Sequence, residues 1–270
     1  MSQGISVHIG LNRVDPAQYE GWDGQLAACE ADAKDMRDLA KKQKFKSSTL
    51  LLTKAATAQA VTDAILGAAK TLKAGDLFLL SYSGHGGQVN DTNGDEKDPG
   101  RMDETWVCYD RQLIDDELYA LWGKFKAGVR ILVLSDSCHS GTVTRAVPAF
   151  VSGGPRVRAM PLTVVRAVQA AHARLYKGIQ DAHPAAEKTR VKASVLLISG
   201  CMDNQFSQDG DRNGLFTGTL KKVWNGGKFR NGHRKFRDVI VSIMPPDQTP
   251  NYSAVGTGTA AFEAQTPFTI

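Results

Sequence analysis

The chain has 270 residues, of which 42% are apolar and 23% charged, with four cysteines and a net charge of +5. These values fit a soluble globular protein with a sizeable core. No apolar run is long enough to span a bilayer, and Cys29, Cys108, Cys138 and Cys201 are too scattered for a zinc site or a disulfide framework. Residues 142–192 hold nine Lys/Arg against Asp181 and Glu187, a local +7 that leaves −2 for the rest. The basicity belongs to one stretch, so no nucleic-acid-binding face is expected. The N-terminus MSQGISVHIGLN lacks a basic then apolar leader, which makes the cytoplasm the expected location.

In chain order, Ile5–Gly10 reads as a first strand, 29–42 as a helix, 47–52 as a strand and 57–72 as an Ala-rich helix. DLFLLSYS at 76–83, RILVLS at 130–135 and SVLLISGC at 194–201 are continuous apolar runs, the pattern of strands buried on both faces. Residues 115–125, 215–224 and 235–244 read as helices. Strands alternating with helices predict an α/β fold, a mostly parallel central sheet flanked by helices on both faces. The polar, Asp- and Gly-rich stretch 88–103 is expected to be a loop. Residues 142–192, with one helix near 162–176, are expected to be a basic exposed insertion in a single domain spanning 1–270.

The chemistry sits at two strand ends. Ser83-Gly84-His85-Gly86-Gly87 follows one buried run, and Asp136-Ser137-Cys138-His139-Ser140-Gly141 follows another. Active sites of open parallel sheets gather at the carboxyl ends of strands. A thiol near its ordinary pKa is only a few per cent thiolate at neutral pH, and a facing imidazole supplies the missing base. The same imidazole can then protonate a leaving amine. His85 and Cys138 are therefore the expected catalytic pair, with the backbone N–H groups of Gly86 and Cys138 as an oxyanion hole. His139 neighbours Cys138 in sequence and should point to the opposite face.

With these motifs in hand, the chain resembles the prokaryotic metacaspases and orthocaspases, caspase-like cysteine peptidases. The matching stretches are SYSGHGGQ around His85 and LSDSCHSGT around Cys138. LAACEADAKDM, GDEKDPGRMDE, LIDDEL, ISGCMDNQ, NGLFTGTL and QTPNY also match, so that mainly the basic segment is left over. The resemblance implies the caspase–hemoglobinase fold and peptide-bond hydrolysis through a thioester. It also implies a pocket for Arg or Lys at the residue before the scissile bond (P1), carried by Cys29, Asp32, Ser83 and Asp136. No organic cofactor is implied. The calcium site of eukaryotic relatives maps onto Asp103, Asp115 and Asp116, with Arg145 where a fourth acid is expected. A monomer acting on polypeptides is implied, with room for a regulatory partner protein. A catalytically silent caspase-fold scaffold is the rival reading, disfavoured by the intact pair. Finally, an acidic pocket beside a basic segment predicts self-cleavage, first after Arg156 or Arg158 and then after Arg145 or Arg190.

Overall fold

The computed structural model describes residues 2–92, 94, 102–138, 156–183, 189–202 and 205–270. Its main sheet has six strands: β1 (Gly4–Gly10), β2 (Ser47–Leu52), β3 (Leu77–Ser83), β7 (Arg130–Asp136), β8 (Ser194–Ser199) and β9 (Asn251–Gly256). They lie in the order β2-β1-β3-β7-β8-β9, all parallel except the β8–β9 pair at one edge. Three further strands, β4 (Gly86–Asn90), β5 (Met102–Val107) and β6 (Gln112–Ile114), form a separate antiparallel sheet.

The central strands are apolar throughout because both faces are covered. Phe78 and Leu80 of β3 and Ile131 and Val133 of β7 point to one side. There they join Val61 and Ile65 of α2 (Ala58–Thr71) and Leu121 and Trp122 of α3 (Asp115–Trp122). Leu77, Leu79, Leu132 and Leu134 point to the other side. They pack with Met36 and Leu39 of α1 (Cys29–Lys42), Phe216 and Leu220 of α5 (Leu215–Trp224), and Phe236 and Ile240 of α6 (His233–Ile243). The strand period of two splits each apolar run between two cores. Burying each such side chain contributes ~1.5–3 kcal/mol. A short helix α7 (Thr259–Glu263) closes the second core through Phe262.

Two expectations need correction. The stretch 88–103 is not a loop throughout, because its ends belong to β4 and β5, where Gln88 pairs with Glu104 and Val89 with Asp103. Polar side chains hid those strands, since only Val89 and Met102 carry apolar weight there. The described part of 142–192 is not an exposed insertion either. Helix α4 (Leu162–Ala182) buries Val165, Val168 and Tyr176 in a third apolar cluster with Val89, Val107 and Ile114 of the small sheet. Its basic residues Arg166, Arg174 and Lys177 lie on the exposed face, so the charge density reports one side of an amphipathic helix. No helix among the described residues is long and apolar enough to cross a membrane.

Buried imidazoles make the fold acid-sensitive. His8 in β1 has Nδ1 2.8 Å from Ser81 Oγ, and Nδ1 of His233 lies 3.1 Å from the Phe262 carbonyl. Burial lowers His8 to about 3 and His233 to about 4. In the unfolded chain both protonate near 6.5. Below that pH the unfolded state therefore binds more protons, and stability falls as pH drops from about 6.5 toward 4. Thermal unfolding followed by circular dichroism should show Tm declining across that window, with a shallower decline for His8→Asn. A Tm independent of pH between 7 and 4.5 would contradict neutral buried imidazoles.

Candidate active site

Strands β3 and β7 pair in parallel, with Ser83 opposite Asp136 at their carboxyl ends. His85 and Cys138 each lie two residues beyond this last pair, so one register places both motifs at one mouth. Gly86 packs so closely on the other loop that a Cβ there would sit 1.8 Å from the Cys138 carbonyl oxygen. Only glycine permits that approach.

His85 is held from several sides. Its carbonyl accepts from the Tyr82 hydroxyl at 2.6 Å and from the Val107 N–H at 3.0 Å. Its ring lies against Trp22, with centroids 4.7 Å apart, and Nε2 is 3.0 Å from the Gly24 carbonyl. A carbonyl only accepts, so Nε2 carries the hydrogen and the neutral ring keeps Nδ1 as its basic nitrogen. Nδ1 has no hydrogen-bond partner among the described residues. Burial lowers this imidazole to about 4, with the nearby Arg158 cation adding to the effect and the Gly24 carbonyl opposing it. The ring is therefore neutral at pH 7, as a base must be. Cys138 is buried, and its Sγ lies against the Ser207 backbone.

The cleft between these loops holds the chain's own residues 156–160. Arg158 N–H donates to the Ser207 carbonyl at 3.0 Å and Asp209 N–H to the Arg156 carbonyl at 2.8 Å, with Val157 bridged antiparallel to Gln208. Beyond Arg158, Ala159 bridges Gly86 in parallel, and Met160 N–H donates to the Gly86 carbonyl at 2.8 Å. The two expected oxyanion donors converge on one atom. Gly86 N–H and Cys138 N–H reach the Arg158 carbonyl oxygen at 2.9 and 3.1 Å.

The Arg158 side chain fills an acidic pocket and is fully buried. Nη1 lies 2.9 Å from Asp136 Oδ2 and donates to Ser83 Oγ at 2.8 Å. Nη2 lies 2.7 Å from Asp32 Oδ2 and 2.9 Å from Asp209 Oδ1. Asp32 also accepts from Ser83 Oγ, Asn213 Nδ2 and Gly214 N–H; Asp136 accepts from Ser207 Oγ and from the N–H and Oγ1 of Thr217. Gly214 leaves the room, since a Cβ there would lie 2.6 Å from the guanidinium. Burial pushes the Cys29 thiol up to about 12, so it stays protonated.

Asp32, Ser83 and Asp136 thus meet one guanidinium, as the resemblance implied, and Cys29 lies close enough to feel its charge. Sequence reasoning missed Asp209, Ser207, Asn213, Thr217 and Gln248. The last donates to the Gly200 carbonyl and Ser207 Oγ, bracing the strand-like segment 207–209. The matching text NGLFTGTL and QTPNY contained three of them without assigning a role. Arg158 was expected on a flexible surface and is buried instead, because three carboxylates neutralise it. Arg156 and Arg190 are exposed, and Arg145 and His139 lie outside the described residues. Asp103 is buried and accepts from Gln180 of α4. Asp115 and Asp116 begin α3, where acids favour the helix dipole. Among the described residues no group of three or more His, Cys, Asp or Glu is arranged to hold a metal ion.

A buried imidazole and a buried thiol thus stand at adjacent strand ends, beside a cleft that holds extended chain. Residues 14–258 match the family model described as Caspase domain, and the chain belongs to that family of caspase-like cysteine peptidases. Metacaspase-1 of Mycosarcoma maydis is 28% identical over 78% of this chain and 58% of its own length. Metacaspase-1 of Ajellomyces capsulatus is 28% identical over 87% of this chain and 73% of its own. The chain spans little more than half the length of several such relatives. Among solved structures, protein GSU0716 from Geobacter sulfurreducens is 53% identical, with a TM-score of 0.88 over 99% of both chains. Caspase-1 from Spodoptera frugiperda shares the fold at 11% identity, with a TM-score of 0.57 over 95% of this chain and 88% of its own.

The close approach at Gly86 gives a direct test. Gly86→Ala must push the two loops apart and misalign both N–H donors. Peptide hydrolysis is expected to fall by about a hundredfold or more, as when an oxyanion donor is lost. Near-normal turnover in this variant would mean that the two N–H groups do not act on the reacting carbonyl.

Proposed function

We propose that the chain is a cysteine endopeptidase cutting after basic residues, and that its first substrate is its own Arg158–Ala159 bond. One observation carries this reading. The Arg158 side chain lies among carboxylates while its carbonyl oxygen lies against the N–H groups of Gly86 and Cys138. His85 Nδ1 takes the thiol proton, and Cys138 Sγ attacks the Arg158 carbonyl carbon. The two N–H groups hold the oxyanion. As the C–N bond breaks, the protonated imidazole gives its proton to the Ala159 nitrogen. Water, deprotonated by the neutral imidazole, then cleaves the thioester and frees Cys138.

External substrates would use the same track. An extended chain pairs with 207–209 on one side of the scissile bond and with Gly86 on the other, a form of strand addition. Residues 156–160 occupy that track, so the uncut chain is expected to be poorly accessible to other substrates. The silent-scaffold reading is disfavoured by three buried carboxylates gathered round one guanidinium, an arrangement costly to build without use.

Freshly purified wild type is expected to resolve into two fragments, the new N-terminus being Ala159, while Cys138→Ala stays one band. Asp136→Ala should slow both self-cleavage and hydrolysis of peptidyl-Arg substrates by a few tens to thousands of fold, the effect of removing one partner of a desolvated ion pair, about 2–5 kcal/mol. Fragments identical in wild type and Cys138→Ala, or turnover of peptidyl-Arg by Cys138→Ala, would overturn the proposal.

A further inference from the structure

We infer that the self-cut enzyme has a second activity, peptide-bond formation: the α-amine of Ala159 stays where the leaving group stood and takes acyl groups from Cys138 in competition with water. The inference rests on the peptidase reading above and adds to it. Its basis is how the leaving side of the Arg158–Ala159 bond is anchored. Ala159 bridges Gly86 in parallel, and Met160 N–H donates to the Gly86 carbonyl at 2.8 Å. The Met160 side chain is buried in the apolar cluster that includes Val14, Val89, Val107 and Val165. Helix α4 begins two residues later and is stitched to the small sheet. The Tyr176 hydroxyl accepts from Gln112 N–H at 3.2 Å. Gln180 Nε2 donates to the Asn90 carbonyl at 2.8 Å, and its Oε1 accepts from Thr92 N–H at 3.0 Å. None of these contacts depends on the Arg158–Ala159 bond, so cutting it leaves the new amine beside Gly86. Gly86 is the residue whose own N–H meets the reacting carbonyl.

The retained amine occupies the side from which a deacylating water must attack. The neutral Ala159 nitrogen attacks the thioester carbonyl carbon, and the C–N bond forms as the C–S bond breaks. His85 carries the proton from that nitrogen to Cys138 Sγ. No water is consumed and no further reactant is needed. The acyl group can be that of Arg158 itself, which restores the uncut chain. It can equally be that of another peptide ending in Arg, once residues 156–158 leave the track, and the piece 159–270 is then lengthened. A group held at the reacting centre behaves as if present at very high concentration, with effective molarities of about 10⁵ M and above. That advantage lets one held amine compete with bulk water.

The test supplies self-cut wild type with a peptidyl-Arg p-nitroanilide, whose arylamine leaving group is a poor acceptor. Released p-nitroaniline counts the acyl-enzyme formed, and the intact mass of the piece 159–270 counts transfer. That piece should gain the peptidyl acyl group, mapped to Ala159 by fragment sequencing. Transfer to Ala159 should exceed transfer to about 1 mM free Ala-Met amide in the same tube by at least tenfold. The transferred fraction should rise as pH passes about 8, the ordinary range of an α-amine, because the neutral amine is the nucleophile. Met160→Ala and Met160→Asp loosen the anchor and should lower the transfer per p-nitroaniline released, a ratio that does not depend on how much enzyme is folded. Release of p-nitroaniline dependent on Cys138, with the mass of 159–270 unchanged, would overturn the inference and leave the peptidase reading intact. A transferred fraction indifferent to both pH and Met160 would also overturn it, by showing that no held amine is the acceptor. Absence of both self-cutting and p-nitroaniline release would instead remove the peptidase reading, and this inference with it.

Discussion

Three buried carboxylates around one cation organise the functional end of this molecule. Asp32 comes from α1, Asp136 from the end of β7 and Asp209 from the segment before α5, so their convergence ties together elements far apart in sequence. Such a cluster is tolerable only when a positive charge neutralises part of it and hydrogen bonds satisfy the rest. Ser83, Ser207, Asn213, Gly214 and Thr217 supply those bonds. The site is therefore built for a cation, and the chain supplies its own.

The placing of His85 and Cys138 follows from a plainer constraint, the register of two parallel strands. With Ser83 opposite Asp136, the side chains two residues onward fall at one mouth, and the same two strand ends contribute both a pocket wall and a reacting group. The pocket and the His85 and Cys138 loops cannot drift apart, because they share the same backbone. The absence of a side chain at Gly86 lets the second loop come within reach, and the Trp22 face and Gly24 carbonyl fix the imidazole.

Backbone pairing sets what the cleft can take. Residues 156–160 run continuously past the reacting groups, paired on both sides of Arg158, so the cleft accommodates the middle of a chain rather than its end. Main-chain bonds to Ser207, Asp209 and Gly86 carry no sequence information. The side-chain contacts are concentrated in the pocket, where three carboxylates meet the one guanidinium.

The central sheet was legible in the residues alone, because DLFLLSYS, RILVLS and SVLLISGC are apolar without alternation, and such runs are stable only between two covered faces. The residues also pointed to His85 and Cys138 as a candidate pair, since polar, glycine-flanked motifs after buried strands have few structural uses, and the pairing of β3 with β7 brings their two loops to one mouth. Helices 29–42 and 215–224 were legible to the residue from their apolar spacing. The small sheet was not, because β4 and β5 carry polar side chains and gain their stability from α4, which lies far along the chain. Nor did local pattern show Asp209 as part of the pocket, since an aspartate between Gln208 and Gly210 resembles any turn residue. The basic stretch looked solvated because a charge count cannot register three partner carboxylates contributed from elsewhere. The burial of Arg158 emerges from the packed fold alone, as burial of a charge depends on where its counter-charges lie in space rather than on its neighbours in sequence.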